Sequence, residues 1–273
     1  MNLPSFSTLT LALDQGIAEV RLNRPDKSNA MNDAMWQEIR QAFEWVDATP
    51  EARVAILAGN GKNFCAGIDL AMLASIQQHI ADPEAARSRE KLRRLILDLQ
   101  DCLTAIERCR KPVLAAIHGA CVGGALDVVT CCDMRYATAD AIFSIKEIDL
   151  AMVADVGTLQ RLPRLIGEGM ARELAYTGRN VGAAEAVGIG LVNRVFDSPE
   201  ALQAAVREIA TAIAAKSPLA TRGIKEVMNY SRDHSVADGL NFVATWNAAL
   251  LLSGDLQESI AAMQERRAPR FPD

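Results

Sequence analysis

The segment Pro112-Val-Leu-Ala-Ala-Ile-His-Gly-Ala-Cys-Val-Gly-Gly-Ala125 decides the fold class. Its opening Pro-Val-Leu-Ala-Ala-Ile is a short apolar run, the pattern of a strand buried on both faces. Gly119, Gly123 and Gly124 then punctuate a turn into a helix expected near 124–132. A matching stretch lies upstream. Val54-Ala-Ile-Leu-Ala58 is another buried-strand run before Gly59, and the turn Phe64-Cys-Ala-Gly-Ile-Asp-Leu70 follows it. Glycine at a strand-to-helix turn lets backbone N–H groups face a ligand with no side chain in the way. Two such groups converging on one oxygen make an oxyanion hole, and a helix N-terminus adds a favourable dipole. Either turn alone reads more readily as a tight turn and nothing more.

Outward from these turns the chain alternates strands and helices. Leu9, Leu11 and Leu13 alternate, Asp14-Gln-Gly16 turns, and Ile17–Leu22 continues as a second strand ended by Pro25. Met35, Ile39, Phe43 and Val46 recur at helical spacing over about 32–47. A long amphipathic helix is expected from Pro83 to Cys109, with Leu92, Leu95, Ile96, Leu99, Leu103 and Ile106 on one face. Met134–Thr138 and Ala141–Ile145 read as two further strands. After Asp155 the chain reads as almost all helix, over about 156–166, 169–176, 183–188, 199–215, 219–230, 235–252 and 255–266. The expectation is an α/β core over 1–198 and a helical region over 199–273, with no linker and no internal sequence repeat.

Composition bounds the function. Of 273 residues, 50% are hydrophobic and 23% charged, ordinary for a globular chain. Lys and Arg number 29 against 34 Asp and Glu, for a net charge of −5, which argues against a nucleic-acid partner. The longest uncharged stretches, Pro112–Leu126 and Gly239–Gly254, fall short of a membrane span, and Met1–Ser7 and the C-terminal Arg-Phe-Pro-Asp carry no targeting pattern. A cytoplasmic protein without a membrane contact is expected.

Six cysteines stand at 65, 102, 109, 121, 131 and 132, with no Cys-x-x-Cys pair, and the histidines at 79, 118 and 234 have no zinc-ligand spacing. No metal site is expected, and the cysteines read as small core residues of a reducing compartment. Cys65 could be a nucleophile, but no base for it is identifiable. The turn 119–124 is neither Gly-x-Gly-x-x-Gly nor a phosphate loop, and there is no Gly-x-Ser-x-Gly or His-Glu-x-x-His.

Three carboxylates follow the second turn. Asp127 could complement the dipole of its own helix, Glu147 could be an exposed loop acid, and Asp155 could cap the helix beginning Val156-Gly-Thr158. Together beside an apolar cleft, they could instead trade protons near neutral pH, because apolar surroundings raise a carboxylate pKa.

Ala66-Gly-Ile-Asp-Leu70, Lys111-Pro-Val-Leu-Ala-Ala-Ile-His-Gly119, Gly123-Gly124 and Cys132-Asp-Met-Arg135 resemble the crotonase (enoyl-CoA hydratase/isomerase) superfamily. The resemblance runs from Leu22-Asn-Arg-Pro-Asp-Lys-Ser-Asn-Ala-Met31 through Thr177-Gly-Arg179 and Gly190-Leu-Val-Asn-Arg-Val195 to Glu265-Arg-Arg267. Ile145-Lys-Glu-Ile-Asp149, Ala154-Asp-Val-Gly-Thr-Leu-Gln-Arg-Leu-Pro163 and Ser259-Ile-Ala-Ala-Met263 are similar to its Δ3,5-Δ2,4-dienoyl-CoA isomerase branch. The hydratases carry glutamate where Asp127 stands and glycine where Asp155 stands.

The resemblance implies repeated ββα units in two nearly perpendicular sheets, with C-terminal helices that build trimers or dimers of trimers. It implies an acyl-CoA substrate of fatty acid β-oxidation and no cofactor, since coenzyme A is part of the substrate. The N–H groups of Ile68 and Gly124 would hold the thioester oxygen. Glu147 and Asp155 would move the proton between C2 and C6, with Asp127 beside Glu147. Ala66, Gly67, Asp69, Leu70 and Gly123 would line the substrate. Arg24, Lys27, Lys62 and the basic start of the 86–109 helix are candidates for the CoA phosphates, and the acyl tail is expected around Met72, Leu73, Ile76 and 92–99. Two rivals are open: a hydratase using Asp127 and Glu147 on one water, and a non-catalytic or RNA-binding homologue using Arg89, Lys91, Arg93 and Arg94.

Overall fold

The computed structural model describes residues 3–272, so Met1, Asn2 and Asp273 of the terminal segments lie outside the described residues. The chain opens with β1 (Leu9–Asp14), β2 (Ile17–Leu22), α1 (Asp33–Ala48) and β3 (Val54–Gly59). Then come α2 (Leu70–His79), α3 (Ala85–Arg108), β4 (Val113–Ile117), β5 (Ala120–Val122), α4 (Gly124–Thr130), β6 (Met134–Thr138) and β7 (Ile142–Ser144). The rest is α5 (Thr158–Ile166), α6 (Glu168–Thr177), β8 (Val181–Gly182), α7 (Ala183–Gly188), β9 (Arg194–Phe196), α8 (Pro199–Ala214), α9 (Pro218–Arg232), α10 (Val236–Leu250) and α11 (Gly254–Glu265).

Two sheets form, in the orders β1-β2-β3-β4-β6-β9 and β5-β7-β8. The larger is parallel apart from the β1–β2 hairpin. Its central strands are buried on both faces, as their unbroken apolar runs require. Ala55, Leu57, Val113, Ala115 and Ile117 face the main core with α1 and α3. Val54, Ile56, Ala58, Leu114 and Ala116 face Leu202, Val206 and Ala210 of α8. The boundary expected after residue 198 therefore falls just before a helix that covers one face of the core sheet. α9, α10 and α11 carry the exposed apolar side chains Ile224, Met228, Leu240 and Met263, and Leu252 is exposed in the turn between α10 and α11.

The strands the sequence reading missed are β5, β8 and β9, each two or three residues long. Such segments are too short for an alternation signal, and the pairing partners make them strands. β5 matters most, because it lies inside the second glycine turn and pairs with β7.

Asn29 ties the first turn in place. It is fully buried with φ 55°, a left-handed conformation that asparagine tolerates better than most residues. Its Oδ1 accepts from the Arg24 N–H at 2.8 Å, and its Nδ2 lies 2.8 to 3.0 Å from the carbonyl oxygens of Asn60, Asn63 and Phe64. Replacing it leaves buried backbone groups unpaired, at about 1–3 kcal/mol for each group lost. Asn29→Ala should lower the urea midpoint with an unchanged slope; a midpoint equal to the wild type contradicts this role.

Candidate active site

The two glycine turns are bonded to each other. The Phe64 N–H donates to the His118 carbonyl at 2.8 Å, the Cys65 N–H to Ala120 at 2.9 Å, and the Val122 N–H to Cys65 at 3.1 Å. The loop after β2 holds the first turn from its other side. Ala66 N–H donates to the Ser28 carbonyl at 2.9 Å, Met31 N–H to Gly67 at 2.8 Å, and Asp69 N–H to Met31 at 2.9 Å. Gly67 (φ 91°) is required at this crossing, because a Cβ there would stand 2.7 Å from the Val122 oxygen and 3.3 Å from the Gly124 nitrogen.

Two N–H groups are left over. In extended backbone successive N–H groups face opposite ways, so the Ile68 N–H points away from the loop that binds its neighbours. Gly124 opens α4, whose first-turn N–H groups have no partner within the helix. Neither N–H meets an acceptor among the described residues. A Cβ on Gly124 would stand 3.8 Å from the Ile68 nitrogen, so both groups sit together at one spot.

That spot opens into a cavity of 310 Å³. Ala66, Gly67, Ile68, Leu70, Gly123 and Gly124 line it, as expected, together with Glu147 and Asp155. Its apolar walls include Trp36, Leu99 and Met152. Trp36 is a site residue that the sequence marks only by the helical spacing of Trp36-Ile39-Phe43-Val46. Met72 is buried in the core and Leu99 reaches the cavity.

Two expected site residues stand off this wall. Asp69 caps α2, its carboxylate accepting from the Ala71 N–H at 3.0 Å and pairing with Arg24 at 2.9 Å. Arg24 is thereby engaged, while Lys27 and Lys62 remain exposed. Asp127 is fully buried behind the wall. Its Oδ1 accepts from the Thr158 N–H at the start of α5, and its Oδ2 has no partner. It stands in the first turn of its own helix, as expected, and also holds the N-terminus of α5. Burial pushes its carboxyl from 3.8 up to about 7, against the pull of the Thr158 hydrogen bond and with the charges of Glu147 and Asp155 reinforcing the rise.

Glu147 and Asp155 are on the wall. A Cβ on Gly123 would meet Glu147 Oε1 at 3.4 Å, so this carboxyl lies against the second turn. Its Oε2 is buried without a partner. Burial raises the Glu147 pKa above its ordinary value, and the Asp155 charge raises it further. Asp155 is raised by burial as well. It does not cap α5, whose N-cap is Gly157, so its carboxyl is left free for other work. Two acids that each disfavour the other's charge suit a state with one ionised and one protonated.

Cys65 is excluded as a nucleophile, because burial pushes its thiol up to about 12. All six cysteines are free and buried. In the basic stretch of α3, Lys91 pairs with Asp82 and Arg94 with Glu90, as on an ordinary solvated face. Among the described residues no helix is long and apolar enough to cross a membrane.

Residues 12–273 match the enoyl-CoA hydratase/isomerase family. The chain belongs to that family. It is 48% identical over 275 residues to the Delta(3,5)-Delta(2,4)-dienoyl-CoA isomerase, peroxisomal, of Arabidopsis thaliana, covering 99% of both chains. It is 45% identical over 252 residues to the mitochondrial enzyme of that name from Homo sapiens, covering 92% of this chain and 77% of the relative. An enoyl-CoA hydratase structure from Bacillus anthracis superposes with a TM-score of 0.88 at 30% identity, covering 97% of this chain and 99% of that one. The cytoplasmic expectation is corrected here: the relatives are named peroxisomal and mitochondrial, and absence of a legible targeting pattern was a poor guide.

The Asp127 carboxyl gives a stability test. Its folded-state pKa lies above its unfolded value, so its contribution is fullest below 3.8 and falls as the pH rises toward about 7. Asp127→Asn keeps an acceptor for Thr158 and removes that titration. The difference in Tm between roughly pH 4 and roughly pH 8 should narrow in the variant. An unchanged difference contradicts the raised pKa.

Proposed function

We propose that this cavity converts a 3,5-dienoyl-CoA into the 2,4-dienoyl-CoA by moving one proton from C2 to C6. The observation that carries this reading is two unpartnered N–H groups beside two raised carboxylates on one apolar wall. The ionised Glu147 takes a proton from C2, and the C–H pair flows into a dienolate whose charge gathers on the thioester oxygen. The Ile68 and Gly124 N–H groups stabilise that oxygen, each worth on the order of 3 kcal/mol. The protonated Asp155 delivers its proton to C6 at the far end of the conjugated system. The pair then exchanges one proton to reset. The names of the relatives agree with this reaction.

The hydratase alternative needs Asp127 and Glu147 to grip one water. Full burial of Asp127 behind the cavity wall speaks against it. Lys27 and Lys62 are the exposed candidates for the CoA phosphates.

The assembly we propose is a trimer or a dimer of trimers through α9, α10 and α11. Phe242 stacks on Tyr230 at 4.1 Å within the chain, but Leu252 is 88% exposed, Met263 80% and Met228 68%. Large apolar side chains left this exposed on and between three successive helices are what a subunit contact would cover. Light scattering at micromolar concentration should give a trimer or hexamer; a monomer contradicts the assembly.

Absorbance assays with a 3,5-dienoyl-CoA and a 2-enoyl-CoA test the reaction. Isomerisation should far outrun hydration. Asp155→Asn should lower isomerisation about 10²–10⁴-fold, and Glu147→Gln at least as much. The pH profile of kcat/KM should be a bell, rising as the first carboxyl of the Glu147–Asp155 pair ionises and falling as the second does, with both limbs displaced upward because burial raises both groups. Faster hydration, or normal isomerisation by Asp155→Asn, overturns the reading.

A further inference from the structure

The segment bearing Asp155 has no regular structure of its own between Met152 and α5. It is a thin partition. Val156 lines the acyl cavity on one side and, on the other, a separate polar cavity of 380 Å³ shared with Gly157. A strand of chain with open space on both faces needs an outside hold if its carboxyl is to keep one aim.

The hold comes from α3 and α5. Gln100, Thr104 and Glu107 stand at helical spacing on one stripe of α3, next to its buried apolar stripe of Leu99, Leu103 and Ile106. Gln100 Nε2 donates to the Asp155 carbonyl at 2.6 Å. The Arg161 guanidinium lies against the backbone of Gly157, where any Cβ would collide with its Nη1. Gly157 has φ 133°, a conformation that L side chains rarely adopt, so the turn depends on glycine and on what packs over it.

Arg161 is itself fixed. Its Nε and Nη2 donate to Glu107 Oε2 at 3.0 and 2.7 Å, and Nη2 lies 3.3 Å from Thr104 Oγ1. The other Glu107 oxygen binds Arg232 of α9. The Arg161–Glu107 pair is 16% and 13% exposed, so it is only weakly screened. Two charge-assisted bonds on one guanidinium fix its plane as well as its place.

We propose that Arg161, gripped by Glu107, and Gln100 are positioning residues that fix the aim of Asp155 on the distal carbon. None of the three touches the reacting atoms. They act mainly on one end of the proton path, because the Glu147 carboxyl is held against Gly123 and its backbone meets this segment only at its start, where the Met152 N–H donates to the Glu147 carbonyl at 3.0 Å. The proposal rests on the assignment of Asp155 to C6 and of Glu147 to C2.

The two ends can be read separately in deuterium oxide. The full-length protein is incubated with a 3,5-dienoyl-CoA, and deuterium is located in product and in recovered substrate. The wild type should place deuterium at C6. In Arg161→Gln, isomerisation should fall on the order of 10²-fold, the scale of a small misplacement of a reacting group. Exchange of the C2 hydrogens in recovered substrate should stay within about threefold of wild type, since that step does not use Asp155. Gln100→Leu, which removes only the bond to the Asp155 carbonyl, should show the same split with a smaller amplitude. A parallel loss of C2 exchange and isomerisation in both variants overturns the proposal, because a merely structural role lowers both together. Unchanged isomerisation in both also overturns it. A wild type that places no deuterium at C6 overturns the assignment of Asp155 itself, a failure visible before any variant is made.

Discussion

Everything at this site depends on backbone pairing between two glycine turns. Residues 64–65 and 118–122 bond to each other, and the loop 28–31 bonds to 66–69 from the outer side. This pairing takes the N–H groups of Phe64, Cys65, Ala66, Asp69 and Val122 and leaves those of Ile68 and Gly124 without an acceptor at one place. In the reading proposed here these two donors are kept for one oxygen of the substrate, whose charge they would stabilise. Gly67 allows the crossing, Gly124 begins a helix there, and the buried Asn29 amide locks the loop that supports both.

The acids form a graded set around those donors. Asp127 lies deepest, held near neutrality by burial and bonded to the start of α5. Glu147 is next, half-buried against the second turn, and Asp155 opens to the cavity from the segment before α5. Their mutual repulsion favours few charges among them. In the reading proposed here, one charge moves between Glu147 and Asp155, and Asp127 supports the helix that carries the segment of Asp155. Helix α3 contributes on two faces, with Leu99 toward the acyl cavity and Gln100 and Glu107 toward the back of that segment.

Much of this was legible in the sequence. The apolar runs at 54–58 and 113–117 are strands because both faces are covered, and the glycines at 67, 123 and 124 are the turns they suggested. The expected helices after 155 match the observed ones to within a few residues at each end. What could not be read depends on partners distant in the chain. β5, β8 and β9 become strands only when their neighbours arrive. Asp127 stands three residues past Gly124, but the turn of α4 buries it, and a spacing alone does not say which way a side chain faces. Asp69 looked like a substrate contact because it sits in the turn, yet it caps α2 and holds Arg24. Asn29 and Arg161 bind groups 31 to 54 residues away, and nothing local marks those bonds.

The central claim is that the Ile68 and Gly124 N–H groups polarise a thioester carbonyl. Infrared difference spectra of a 2,4-dienoyl-CoA carrying carbon-13 at its thioester carbonyl, free and bound, test this most directly. The carbonyl stretch should move to lower frequency on binding to the wild type and return toward the free value in Gly124→Val. A bound carbonyl at the free frequency, in a complex shown to be saturated, would contradict it.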